Sequence, residues 1–269
     1  MTAQLKLKSR IEKRLHVCVG LDTDINKIPQ HLLNCKNPVT EFNKIIIDNT
    51  YKFAAAYKIN FAFYEKDGAK GFDNILETIS YLPAQEVLTI GDAKRGDIGN
   101  TSKMYAQSLF DYFQFDSITV NPYMGYDSIE PFLNYQNKII FILALTSNRG
   151  SEDFEKLKLA DGSSLYQKVI SRVESWNANK NCGLVFGATN LVELKENINL
   201  FGELPVLLPG VGTQGGDLEG VIRTFYSNNN RNFILNVSRS LIYCDNSVSF
   251  KQTVHNTMRK LNETISTII

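Results

Sequence analysis

At 269 residues the chain is too long for a minimal domain and suits one undivided α/β core. A hydrophobic share of 43%, a charged share of 21% and a net charge of +1 describe an ordinary globular protein and give no electrostatic hold on nucleic acid or an anionic membrane. No apolar run approaches membrane-spanning length, and the charged opening residues lack the apolar core of a secretory signal, so a cytoplasmic location is expected.

After a short N-terminal helix, short apolar runs alternate with segments of helical spacing. A strand is predicted over His16–Leu21, then a helix over Glu41–Tyr51 and strands over Ala54–Ile59 and Val87–Gly91. Next come a helix over Asn100–Phe113, a strand over Ser117–Val120, a helix over Ser128–Tyr135 and a strand over Ile139–Leu145. The stretch Asn148–Gly162 reads as the longest loop and a candidate lid. Beyond it lie a helix over Ser164–Trp176, a strand over Cys182–Phe186, a helix over Leu191–Ile198, a strand over Pro205–Leu208, a helix over Leu218–Phe225 and a last strand over Asn232–Val237. The strands are almost continuously apolar, as a parallel sheet covered on both faces requires. Eight such units predict an α/β fold of the (β/α)8 TIM-barrel type, with residues 1–269 as a single domain.

Cys18, Cys35, Cys182 and Cys244 are far apart, and His16, His31 and His255 are the only histidines, so neither a zinc site nor a histidine triad has its usual spacing. No metal site is expected. The polar residues that follow the strands are more telling. Asp22, Lys58, Asp92, Lys94, Asn121, Thr146, Ser147, Gln214 and Arg239 all fall at C-terminal strand ends, the rim where a barrel carries its active site.

Within Gly91–Thr101, residues two apart share a strand face, so Asp92 and Lys94 are predicted to point to the barrel mouth together. Asp97 can return to them through the turn at Gly96, and with Lys58 from the second strand two cations and two anions can alternate. Such an array holds Lys94 as an ammonium, ready for a substrate that develops negative charge and then takes a proton; a surface ion-pair network is the plainer alternative. After the seventh strand, Pro209–Gly216 is rich in glycine and bares backbone N–H groups, and Arg239 follows the eighth strand. Barrels commonly hold phosphate with that pair of positions.

The motif Asp92-x-Lys94-x-x-Asp97-Ile98-x-x-Thr101 resembles the signature of the orotidine 5'-monophosphate decarboxylase family. The resemblance extends to Gly20-Leu21-Asp22, Tyr57-Lys58-Ile59-Asn60, Pro209-Gly210-Val211-Gly212 and Ser238-Arg239, and so spans nearly the whole barrel. It implies decarboxylation of orotidine 5'-monophosphate to uridine 5'-monophosphate without a cofactor. It also implies roles: Asp22 and Lys58 on the ribose, Asp92 against the substrate carboxylate, and Lys94 stabilising and protonating the carbanion at carbon 6. Asp97 and Thr101 would cross to the site of a second subunit in a homodimer. Gly210, Gly212 and Arg239 would hold the phosphate, and Gln214 either the phosphate or the pyrimidine edge. Ser147 would meet the pyrimidine amide; Arg149 stands where many relatives have proline, which leaves Thr146, Ser147 and Asn148 open as the contact. Three rivals remain: a metal-dependent sugar-phosphate enzyme using the Asp-x-Lys-x-x-Asp core, a Schiff-base aldolase on Lys58, and a non-catalytic nucleotide sensor.

Overall fold

Strands that are apolar on both faces must be covered on both, and a closed parallel sheet wrapped by helices achieves this without leaving an edge. The computed structural model describes residues 1–83, 85–211 and 216–269. Its strands are β1 (Val17–Gly20), β2 (Ala56–Asn60), β3 (Leu88–Arg95), β4 (Ser117–Val120), β5 (Ile139–Leu145), β6 (Cys182–Phe186), β7 (Val206–Leu208) and β8 (Phe233–Val237). They form a closed barrel in chain order, and β8 returns to β1 through the pairs Val17↔Leu235 and Val19↔Val237. The eight-stranded parallel barrel expected from the sequence is therefore the fold observed.

Outside the sheet lie α1 (Ala3–Glu12), α2 (Pro38–Thr50), α3 (Ala62–Glu65), α4 (Ala69–Tyr81), α5 (Gly99–Gln107) and α6 (Tyr126–Leu133). They continue with α7 (Leu165–Trp176), α8 (Leu191–Asn197), α9 (Leu218–Ser227), α10 (Arg239–Ile242) and α11 (Phe250–Ile268). The helical run predicted to Phe113 divides: α5 ends at Gln107 and a π-helical turn carries the chain through Ser108–Tyr112. In α7, Ser164 and Gln167 form a reciprocal capping box, which fixes where the helix leaves the long loop.

Two packed layers result. Inside the barrel, Ile90, Phe141, Val185, Leu207 and Ile234 interdigitate, and Ala3 and Leu7 of α1 complete the cluster from below. α1 thus seals the N-terminal mouth. Lys6 Nζ reaches Asp116 Oδ1 at 2.6 Å, and Asp116 Oδ2 accepts from the Thr89 N–H at 3.0 Å, so the buried charge is paired and hydrogen-bonded. Burying Leu7 contributes roughly 2 kcal/mol at the same end.

His16, just before β1, stacks on Phe233 with ring centroids 4.2 Å apart. Its Nδ1 donates to the Phe233 carbonyl at 2.9 Å and its Nε2 faces the Tyr226 hydroxyl at 3.1 Å, so the neutral ring has a partner at each nitrogen. Burial accordingly lowers its pKa to about 4. The histidine is structural.

Candidate active site

With α1 closing one end, the other end of the barrel opens into a cavity of about 460 Å³. Its floor is apolar, from Leu143, Val185 and Leu207, and its walls are the polar ends of several strands. Asp22, Lys58, Asp92, Lys94, Ser147, Gly210 and Arg239 all line it, so residues more than 200 positions apart meet as the strand-end pattern anticipates.

Three of these elements form one charged chain. Lys58 Nζ lies 3.0 Å from Asp92 Oδ2 and 3.3 Å from Asp22 Oδ1, and Lys94 Nζ lies 2.6 Å from Asp92 Oδ1. Lys58 is 4% exposed and Asp92 7%, whereas the Lys94 side chain is 48% exposed and reaches into the cavity. Burial alone would push Lys58 toward the neutral amine, but the Asp92 and Asp22 carboxylates overcome it and hold its pKa above the ordinary lysine value. Burial likewise opposes charge on Asp92, yet Lys58, and then Lys94, hold that carboxyl well below the usual range. A lysine locked as an ammonium in this way is a poor Schiff-base nucleophile, which disfavours the aldolase.

The end of β1 is braced from behind. Tyr64 Oη donates to the Leu21 carbonyl at 2.8 Å and Tyr243 Oη to the Asp22 carbonyl at 3.1 Å. Gly20 is required by close approach, since a Cβ there would fall 1.8 Å from Ser238 Oγ.

Strand β3 departs from the simple period-two reading. The sequence suggests an end at Gly91, but extended pairing resumes at Arg95, and the register with β4 slips between Gly91 and Arg95. At this bulge Lys94 takes a φ of +46°, in the left-handed region, so its ammonium is brought back onto Asp92 by a turn of the backbone. Opposite the bulge stands Thr119, 1% exposed, whose Oγ1 accepts from the Lys94 N–H at 3.0 Å and donates to Asp92 Oδ1 at 2.8 Å. Sequence reasoning missed Thr119. Its signal was the Ser117-x-Thr119 alternation of β4, two hydroxyls on one face of an otherwise apolar strand.

Around the loop after β5, Thr146, Ser147 and Asn148 all border the cavity. Glu155, also missed, accepts from the Thr146 N–H at 2.6 Å and from its Oγ1 at 2.8 Å, tying the loop back to the strand end. The stretch read as a lid contains a 3₁₀ turn, Arg149–Asp153, and a bridge from Lys158 to Ser164. After β7, Gly210 adopts a φ of +97°, which a side chain would strain, and its carbonyl accepts from the Gly216 N–H at 3.2 Å. Gly212 and Gln214 lie outside the described residues.

Asp97 and Thr101 do not line this cavity. Asp97 Oδ1 instead accepts from the Ile98 N–H at 2.8 Å, and Thr101 is exposed on α5. The return of Asp97 to the array within one chain, expected from the spacing, is therefore not what the fold produces: the chain runs on into α5, which opens at Gly99 with a φ of +53°. Among the described residues no three His, Cys, Asp or Glu side chains are grouped to hold a metal ion, and no helix is long and apolar enough to cross a membrane.

Residues 15–249 match the family described as orotidine 5'-phosphate decarboxylase / HUMPS. An orotidine 5'-phosphate decarboxylase of Christiangramia forsetii is 48% identical over 254 residues, covering 94% of this chain and 93% of the relative. One from Porphyromonas gingivalis is 47% identical over 88% of this chain and 87% of its own length. Among solved structures, Leishmania donovani OMP decarboxylase superposes with a TM-score of 0.85 at 36% identity, covering all of this chain and 98% of that one. The Leishmania donovani UMP synthase superposes with a TM-score of 0.87 at 36% identity; the chain spans 100% of itself but 56% of that protein.

Proposed function

The chain belongs to the orotidine 5'-phosphate decarboxylase family, and from that premise we propose that it is a carboxy-lyase converting orotidine 5'-monophosphate to uridine 5'-monophosphate in pyrimidine synthesis. The observation that carries the reading is the Asp22–Lys58–Asp92–Lys94 chain at the cavity, with Lys94 as its one half-exposed member.

The substrate's carboxylate sits against Asp92, which stays ionised because Lys58 and Lys94 flank it. The bond from carbon 6 to the carboxyl carbon breaks heterolytically, carbon dioxide leaves, and the electron pair remains on carbon 6. The Lys94 ammonium stabilises that developing charge and then gives its proton to carbon 6; water returns a proton to the amine. Asp22 and Lys58 hold the ribose, Ser147 the pyrimidine, and Arg239 with the Gly210–Gly212 loop the phosphate. Those distant contacts supply binding energy that serves the chemical step. No cofactor takes part.

The whole chain acts as one barrel domain in the cytoplasm and pairs as a homodimer, with Asp97 and Thr101 entering the second subunit's site. Exposed Ile98 and Met104 near them, and exposed Tyr123 and Met124 on the turn before the neighbouring α6, supply apolar surface for that contact.

Turnover of orotidine 5'-monophosphate in excess EDTA, followed by loss of the orotate absorbance, tests the reading. Metal-independent decarboxylation by the purified protein, absent in a folded Lys94→Ala variant, is expected. Binding of the nucleotide without turnover would point to a sensor, and turnover abolished by EDTA to a metal-dependent enzyme.

A further inference from the structure

We propose that Thr119 is a positioning residue for this chemistry: its hydroxyl ties the main chain of Lys94 to the carboxylate that holds the Lys94 ammonium. The inference rests on the decarboxylase reading for its kinetic consequence, and on geometry alone for the bridge itself.

The β-ladder poses the problem that Thr119 solves. Gly91 pairs with Ile118 and Arg95 with Val120, so Asp92, Ala93 and Lys94 together stand against the single residue Thr119. A partly buried backbone N–H at Lys94 needs an acceptor that a regular ladder would have supplied. Thr119 Oγ1 accepts it at 3.0 Å. Lys94 also holds a φ of +46°, a conformation disfavoured for any residue with a Cβ and persisting only where its surroundings impose it.

The polarity of the bridge is fixed. A carboxylate can only accept, so the single hydroxyl proton goes to Asp92 Oδ1 at 2.8 Å and the oxygen's lone pairs face the Lys94 N–H. Asp92 Oδ1 is also the oxygen that Lys94 Nζ contacts at 2.6 Å. One buried atom therefore controls both ends of the lysine: the backbone turn that aims it and the carboxylate that receives it. Substrate contacts at Asp22, Ser147, Gly210 and Arg239 come from other strands, so loss of the bridge should fall on the chemical step.

The test compares wild type with Thr119→Val, which keeps the shape and removes the hydroxyl, and Thr119→Ser, which restores it. Steady-state kinetics on orotidine 5'-monophosphate are combined with hydrogen exchange of the Lys94 amide in protein carrying ¹⁵N-lysine, assigned with Lys94→Arg. Loss of a hydrogen bond to a charged group lowers kcat about 10- to 100-fold in Thr119→Val. KM stays close to wild type, and Thr119→Ser recovers most of kcat. The Lys94 amide is protected in wild type and Thr119→Ser and exchanges freely in Thr119→Val.

Wild-type kcat in Thr119→Val, a loss carried by KM, or a folded Thr119→Ser as impaired as the valine variant would each overturn the proposal. If Thr119→Val does not fold, an unprotected Lys94 amide in the wild type overturns it, and protection there together with serine rescue in a folded Thr119→Ser supports it. Absence of turnover in the wild type would fail the decarboxylase reading instead, while the amide measurement would still decide whether the bridge exists.

Discussion

Replacing Lys58 by Met removes the cation that two carboxylates share in the least exposed part of the array. At an effective dielectric of about 20, an ammonium 3.0 Å from Asp92 and 3.3 Å from Asp22 gains roughly 5 kcal/mol from each. Several kcal/mol of that is offset by taking the ammonium out of water. Removing one partner does not return the system to zero, because Asp92 remains buried with Lys94 as its remaining ion-pair cation. A stability loss of about 3–5 kcal/mol at neutral pH is expected, measured by urea denaturation of Lys58→Met against wild type. The pH dependence carries a sign. In wild type the Asp92 pKa is depressed in the fold, so its contribution is complete above the unfolded value of about 3.9 and is lost as pH falls through the lower folded value. In Lys58→Met the folded pKa rises, so protonation relieves a buried charge left with Lys94 alone and the penalty shrinks on acidification. A loss below about 1 kcal/mol, typical of exposed pairs, with no pH dependence would refute this account of the array.

Arg239→Ala should raise KM for orotidine 5'-monophosphate at least about 100-fold, since a charge-assisted phosphate contact contributes on the order of 3 kcal/mol; an unchanged KM would remove Arg239 from the phosphate site. Mixing Asp97→Ala with Lys94→Ala subunits should restore part of the activity that each lacks alone, and no recovery in a demonstrated hybrid dimer would count against Asp97 crossing the interface. His16 titrates only near pH 4 in the fold against about 6.5 unfolded, so the unfolded chain binds the extra proton between those values. Stability should therefore fall by about 3 kcal/mol as pH drops from above 6.5 to 4, and His16→Gln should lack that component in urea titrations at the two pH values.

The barrel was legible because its strands carry the signature of double-sided burial: Ile139–Leu145 and Cys182–Phe186 coincide with the predicted runs, and eight such runs alternating with helices suit a parallel sheet covered on both faces. The strand-end rule brings Asp22, Lys58, Asp92 and Arg239 to one rim, and all four line the cavity there. What period-two reasoning could not give was the bulge in β3. A slip of register depends on the partner strand, so neither the left-handed Lys94 nor the task this gives Thr119 is written in Gly91–Thr101 alone. Asp97 shows the same limit: spacing allows it to return to Lys94, but the path of α5 decides that it does not. Glu155 was missed because a carboxylate in a polar loop looks solvated until the fold returns it to Thr146.

Proton transfer at carbon 6 tests the central claim most directly, because the last step run backwards requires only product and Lys94. Uridine 5'-monophosphate incubated in D₂O with excess EDTA and the purified protein should exchange its carbon-6 hydrogen for deuterium, read by proton NMR, and a folded Lys94→Ala protein should leave that signal intact. Exchange that survives in Lys94→Ala, or a wild type that decarboxylates without ever exchanging this hydrogen, would contradict Lys94 as the group that stabilises and protonates the carbanion.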